Sequence, residues 1–294
     1  MQSIALLGLG AMGTVMGQRW RAAGFPLRVY NRTPSRAAAL ADAGAVVAST
    51  PREAASGADV VISMVADDDA SRAIWFGPEG ALAGLKAGAV AVEQSTLSPA
   101  FIRELAAAAA AKDASFLDAP VGGGPTFATE GRLVVFAGGE AAALDKVRPV
   151  LAAIAARIEH IGGVGAGVTW KLINYMIAGA QVASLAEALA LARRAGISYE
   201  RAGDLIRQGA VASPVIVSKL PRMVEGRFDD AEAALRLVAK DQRYTLDLAR
   251  ALGADLDILP AVVSLFSRAE QQGLGDFDVA AIVGAVGATD GKKI

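Results

Sequence analysis

The sequence predicts an α/β chain: a doubly wound parallel sheet, then an all-α domain, joined by one long interdomain helix. Short apolar runs alternate with helix-period stretches from the amino terminus to His160, which is the β-α-β pattern of a parallel sheet covered on both faces. A glycine-rich turn follows the first of those runs directly. Beyond His160 strand signals stop and apolar positions recur at helical spacing.

The expected strands are residues 3–7, 27–30, 60–65, 89–93, 115–117, 133–137 and 157–160. Helices are expected at 11–23, 35–43, 99–112 and 141–155, between those strands. The second half predicts a long helix over 164–192, then helices at 199–208, 214–223, 231–252, 259–272 and 279–286. Gly196, Gly226, Gly253 and the turn at 273–275 break them. With 294 residues, 53% of them hydrophobic, the chain has material for two cores, divided into domains 1–162 and 163–294.

Composition narrows the chemistry. There is no Cys and a single His, which removes disulfides, thiolate nucleophiles and multi-His metal sites and disfavours Ser-His-Asp chemistry, so no metal is expected. His160 ends a strand before a glycine linker, where a structural role is expected. Net charge is −1 from 29 basic and 30 acidic residues in mixed clusters, which disfavours nucleic acid and anionic lipid as partners. The apolar run at 3–7 has no basic residue ahead of it and reads as a strand, not a signal peptide. Gln181 and Glu187 interrupt the apolar segment 176–192, which argues for a packed helix over a membrane span. A soluble cytoplasmic protein is expected, and its Ala/Leu-rich helices point to a homodimer or homotetramer.

Gly8-Leu9-Gly10-Ala11-Met12-Gly13 fits G-x-G-x-x-G between a strand and a helix, the context of a Rossmann-type dinucleotide site. Two glycines let backbone approach a pyrophosphate, the third lets the helix pack closely, and the helix N-terminus faces the phosphates. The second strand runs into Asn31-Arg32-Thr33, with no carboxylate for a ribose 2′-hydroxyl, while Arg32 and Thr33 can bind a 2′-phosphate. NADP is therefore favoured, with NAD as the alternative. Val65 and Ala66 lie on the carboxyl edge of the sheet and are assigned to the cofactor. Asp67-Asp68-Asp69 is expected to be a loop and helix cap.

Two further stretches reach the same edge. Ser95 and Thr96 precede a helix starting near Pro99, so they are either caps or contacts to nicotinamide and substrate. Gly122, Gly123 and Gly124 expose consecutive N–H groups, a nest suited to a carboxylate or phosphate. The stretch from Gly165 to Tyr175 opens the long helix and places Lys171 at the domain junction, the best candidate acid/base.

These motifs in this order resemble the β-hydroxyacid dehydrogenase family, which includes 3-hydroxyisobutyrate dehydrogenase, tartronate semialdehyde reductase and glyoxylate/succinic semialdehyde reductase. The resemblance rests on 8–13, 95–99, Asp118-Ala119-Pro120-Val121-Gly122-Gly123, 165–174 and Lys240-Asp241. It implies hydride transfer between a nicotinamide and a small 3-hydroxy acid or semialdehyde. Lys171 would be the acid/base, Lys240 would lie by nicotinamide and substrate, and the Asp118 loop would hold the substrate carboxylate. Enzymes of the family with Asn-Arg-Thr at the second strand are mostly NADP-linked. The chain departs from the family in having Gly122 for the usual Ser and Tyr175 for the usual Asn. Asn174 and Tyr175, three and four residues along a helix, both neighbour Lys171. Imine reductases share the two-domain plan and give an alternative activity; a catalytically silent NADP-binding module is the other alternative.

Overall fold

The computed structural model describes residues 1–286. It divides into two compact units after Lys171. The break falls later than 162/163 because the first turn of the long helix bonds back to a strand end of the sheet.

The first unit is built on a nine-stranded sheet. Its strands are β1 (Ile4–Leu7), β2 (Leu27–Tyr30), β3 (Val46–Val47), β4 (Val60–Ser63), β5 (Val90–Glu93), β6 (Ser115–Asp118), β7 (Val121–Gly122), β8 (Leu133–Gly139) and β9 (Ala155–Gly162). They run in the order β3-β2-β1-β4-β5-β6-β8-β7, with β9 paired to β8. From β3 to β6 every pairing is parallel, but β8 runs antiparallel to β6 and β7, so the sheet is mixed rather than wholly parallel. β1, β4 and β5 are buried at every position, as strands covered on both faces must be, which is why they read as apolar runs without alternation.

Helices α1 (Ala11–Ala22), α2 (Ala38–Asp42), α3 (Pro51–Ala55), α4 (Asp68–Trp75), α5 (Pro99–Ala110), α6 (Pro125–Thr129) and α7 (Ala141–Ala152) connect the strands. Thr50, Asp67 and Ser98 cap α3, α4 and α5 by accepting from the N–H three residues on. The helix expected over 35–43 is a 3₁₀ turn, Pro34–Ala37, leading into α2. β3, α3, β7 and α6 are too short to show a period and are not foreseen from the sequence. Leu6, Met16, Trp20, Ile62, Val92 and Leu144 are among the residues of one core, in which the buried Trp20 indole donates to the Val150 carbonyl at 2.8 Å.

α8 (Ala166–Arg194) leads out of this unit into the second, which adds α9 (Tyr199–Gln208), α10 (Pro214–Glu225), α11 (Leu235–Ala251) and α12 (Ile258–Gln271). The last expected helix is 3₁₀, over Val279–Ala285. Leu189, Leu220, Leu235, Phe266 and Ile282 lie in the second core. The buried Lys219 pairs with Asp278 at 3.1 Å and Glu232 at 3.2 Å, so its charge is compensated. By length and composition α8 could cross a membrane, and a third of its most apolar window is buried within the chain. Trp170, Ile173 and Ile177 are exposed on it at i, i+3 and i+7, a single face.

Candidate active site

The turn between β1 and α1 is shaped by its glycines. Gly8 has φ +100°, a conformation that favours glycine. A Cβ on Gly10 would meet nothing within 4 Å, so the space above the turn is open. Gly10 is the N-cap of α1, offers no side-chain cap, and is followed by no acidic residue in the first turn. Free helix-end donors beside open space fit a pyrophosphate. Asn31 braces the turn: its Oδ1 accepts from Leu9 N–H at 2.9 Å, and its Nδ2 donates to the Thr33 carbonyl at 2.9 Å. Arg32 and Thr33 are exposed beside it, while Ala11 and Met12 form the first positions of α1.

Along the carboxyl edge of β4 and β5 the loops are tied to one buried carboxylate. Glu93 accepts from Ser71 Oγ at 2.7 Å, Trp75 Nε1 at 2.9 Å and Ser95 N–H at 2.9 Å. Burial pushes its carboxyl above the usual range, against the pull of those donors. Ser95 Oγ in turn accepts from Val65 N–H at 2.8 Å, joining the two loops, with Ala66 and Thr96 half-buried next in sequence. The cap of α5 is Ser98, not Ser95 or Thr96. Asp67 caps α4, and Asp68 accepts from both the N–H and the hydroxyl of Ser98, so the acidic run serves loop and helix ends.

At the end of β6 the arrangement is tighter. Asp118 is fully buried; its Oδ1 accepts from Gly165 N–H at 2.7 Å and its Oδ2 from Val168 N–H at 2.8 Å. Burial pushes this carboxyl up to about 6, opposed by those backbone donors. Three residues on, the Val121 carbonyl accepts from Lys171 Nζ at 2.6 Å. Lys171 is 3% exposed. Gly122 follows at the rim, Gly123 has φ +107°, and Gly124 opens α6 without a side-chain cap. A Cβ on Gly122 would press on the Phe136 ring at 3.1 Å, so the ring fills part of the room a serine side chain would need.

The structure therefore brings Lys171 together with Val121, the residue before Gly122, within the first unit. Asn174 and Tyr175 begin the second unit, Asn174 exposed and Tyr175 half-buried, with the Tyr175 carbonyl accepting from Gln242 Nε2 at 2.8 Å. Lys240 pairs with Asp241 at 3.2 Å and lies 5.1 Å from the Tyr244 ring centre. His160 Nε2 bonds the Gly139 carbonyl at 2.8 Å, a strand-to-strand tie. Sequence reasoning misses two carboxylates. Glu93 reads only as a strand end, and Asp118 only as part of a substrate loop, whereas its own oxygens are engaged with the start of α8. Their one sequence signal is an acidic residue closing an apolar strand.

Known proteins match nearly the whole chain. Residues 3–162 match the NAD binding domain of 6-phosphogluconate dehydrogenase, and 165–286 match the NAD-binding domain of NADP-dependent 3-hydroxyisobutyrate dehydrogenase. An L-threonate dehydrogenase of Cupriavidus necator is 32% identical, the alignment covering 96% of this chain and 95% of the relative. Glyoxylate/succinic semialdehyde reductase 2 of Arabidopsis thaliana is 31% identical over 99% of this chain and 81% of its own. The crystal structure of a 3-hydroxyisobutyrate dehydrogenase from Salmonella typhimurium superposes with a TM-score of 0.87 at 31% identity, covering 96% and 99% of the two chains. By these matches, the chain belongs to the β-hydroxyacid dehydrogenase family, oxidoreductases that pair a nicotinamide-cofactor-binding sheet with a helical domain.

Proposed function

We propose that this protein interconverts small 3-hydroxy acids and their semialdehydes with NADP, and that Lys171 is the acid/base. The observation that carries the reading is a lysine 3% exposed, its ammonium held on a main-chain carbonyl one residue before a glycine-rich rim. The bound nicotinamide would supply or accept the hydride. On reduction, Lys171 gives a proton to the carbonyl oxygen as the carbon gains its hydride; on oxidation it takes the proton back from the alcohol. The Val121 carbonyl keeps the ammonium oriented for that exchange. Gly122, Gly123 and Gly124 offer backbone donors to the substrate carboxylate, with Ser95, Asn174 and Tyr175 as further polar contacts and Lys240 as a second cation. The names of the threonate and semialdehyde relatives support this substrate class.

The preference for NADP rests on exposed Arg32 and Thr33 in a segment without a carboxylate. The exposed face of Trp170, Ile173 and Ile177 supports a homodimer, or a homotetramer built from it, and the protein is proposed to act in the cytoplasm rather than on a membrane or nucleic acid. A panel of 3-hydroxy acids, semialdehydes and cyclic imines, run with NADPH/NADP and NADH/NAD in parallel, tests the activity. Turnover of hydroxy acids or semialdehydes, faster with the phosphorylated cofactor, is the expected result. Turnover of imines alone, or of nothing, overturns it.

A further inference from the structure

We propose that Asp118 is a positioning residue for the acid/base lysine: its carboxylate clamps the first turn of α8 and so fixes where the Lys171 amine lies. The proposal rests on the reading of Lys171 given above. α8 begins at Ala166 behind Gly165, which has φ +87° and no side chain to serve as a cap. The cap comes instead from a residue 47 positions earlier, and it is two-handed, one oxygen on Gly165 N–H and the other on Val168 N–H. Val168 lies three residues before Lys171, and helical side chains lean toward the N-terminus, so the lysine side chain runs back over the clamped turn. There its amine meets the Val121 carbonyl, on the same short segment as Asp118. One stretch, 118–121, therefore holds both the helix end and the ammonium.

The surroundings are cut to this clamp. A Cβ on Gly138 would lie 2.4 Å from Asp118 Oδ1, and one on Gly167 would lie 2.3 Å from the Phe136 carbonyl oxygen and 2.7 Å from that of Asp118. Neither position accepts a side chain without moving the helix end off the sheet. An ionised carboxylate accepts at both oxygens, whereas a protonated one places a proton on one of them and loses half the grip. The charged groups on the elements around it are few. Lys171 is in the opening turns of α8, whose other charged residues, Glu187, Arg193 and Arg194, lie far along the helix; Glu93 is the register partner on β5; β9 carries His160 and the mutually paired Arg157 and Glu159; β7 and β8 carry none, and those of α5 and α7 are exposed. Burial, with the carboxyl near 6, puts the change of grip in the mildly acidic range.

Asp118→Asn, Lys171→Ala and the double variant test this. In the cofactor-free protein, Asp118→Asn should lower the hydrogen-exchange protection of the Gly165 and Val168 amides about tenfold relative to the sheet. Single-turnover hydride transfer should slow about 10- to 100-fold with NADPH affinity unchanged, and the wild-type fall in rate below about pH 6 should be absent. On the Lys171→Ala background the same change should alter the residual rate less than about twofold. Equal slowing on both backgrounds, or unchanged amide protection, overturns the proposal. Near-normal turnover by Lys171→Ala would instead overturn the acid/base reading, and the exchange result would still judge the clamp. If Asp118→Asn does not fold, wild-type exchange decides. Protection at 165 and 168 should fall below about pH 6 while the sheet keeps its own, and a flat profile contradicts the clamp.

Discussion

A methyl group placed on Gly13 would lie 2.0 Å from the Gly8 carbonyl oxygen, so α1 rests directly on the turn that precedes it. Gly10, between them, has nothing within 4 Å of the same construction. The two glycines thus differ: Gly13 is required by the packing of α1, and Gly10 borders open space, where we propose that the cofactor pyrophosphate lies.

Gly13→Ala should destabilise the first unit by about 2–3 kcal/mol, because backbone rather than a movable side chain stands in the way. Gly10→Ala should unfold at the wild-type denaturant midpoint yet bind NADPH at least tenfold more weakly, as the methyl enters the space reserved for the pyrophosphate. Denaturant unfolding and fluorescence titration of the two variants separate these outcomes. Equal stability loss in both would contradict the assignment.

Arg32→Ala removes the exposed guanidinium proposed for the 2′-phosphate. A charge-assisted bond is worth about 1.5–3 kcal/mol, so NADPH affinity should fall about 10- to 100-fold while NADH affinity changes less than about twofold. Parallel titrations measure the ratio. A similar loss for both cofactors would show that Arg32 stacks on the adenine and does not read the phosphate.

Much of the fold, and where the candidate residues fall along it, was legible in the sequence because it is local. The glycine fingerprint, the βα alternation, the junction lysine and the end of β2 each lie within one strand, turn or helix, where period and turn chemistry speak. What escaped depends on partners far along the chain. Nothing near Asp118 announces that it accepts from Gly165 N–H, 47 residues later, at the mouth of a helix, and nothing near Glu93 announces Ser71 and Trp75 as its donors. The reversal of β8 is likewise invisible, since an antiparallel neighbour is chosen by the short β7 and α6 connection and not by the apolar run itself.

The buried carboxylates set a pH dependence of stability. Asp118 has its folded-state pKa pushed up to about 6, above the ordinary carboxylate value of about 3.9, so between those values the folded protein holds more protons than the unfolded chain. Stability from this group is therefore fully present below about pH 4, is lost as pH rises through about 6, and is level above that. The span corresponds to about 3 kcal/mol, and Glu93, also pushed upward by burial, adds the same sign. Urea unfolding of wild type and Asp118→Asn from pH 4 to 7 should show the variant gaining on wild type as pH rises, though it transfers hydride more slowly. A gap that moves the other way would contradict the effect of burial.

The central claim is that the Lys171 amine moves the proton, and Lys171→Ala tests it most directly. Steady-state turnover of an active semialdehyde should fall about 10³-fold, in the range of general acid–base catalysis, while fluorescence titration gives an NADPH affinity within twofold of wild type. Turnover within tenfold of wild type, with cofactor bound as before, would contradict the account.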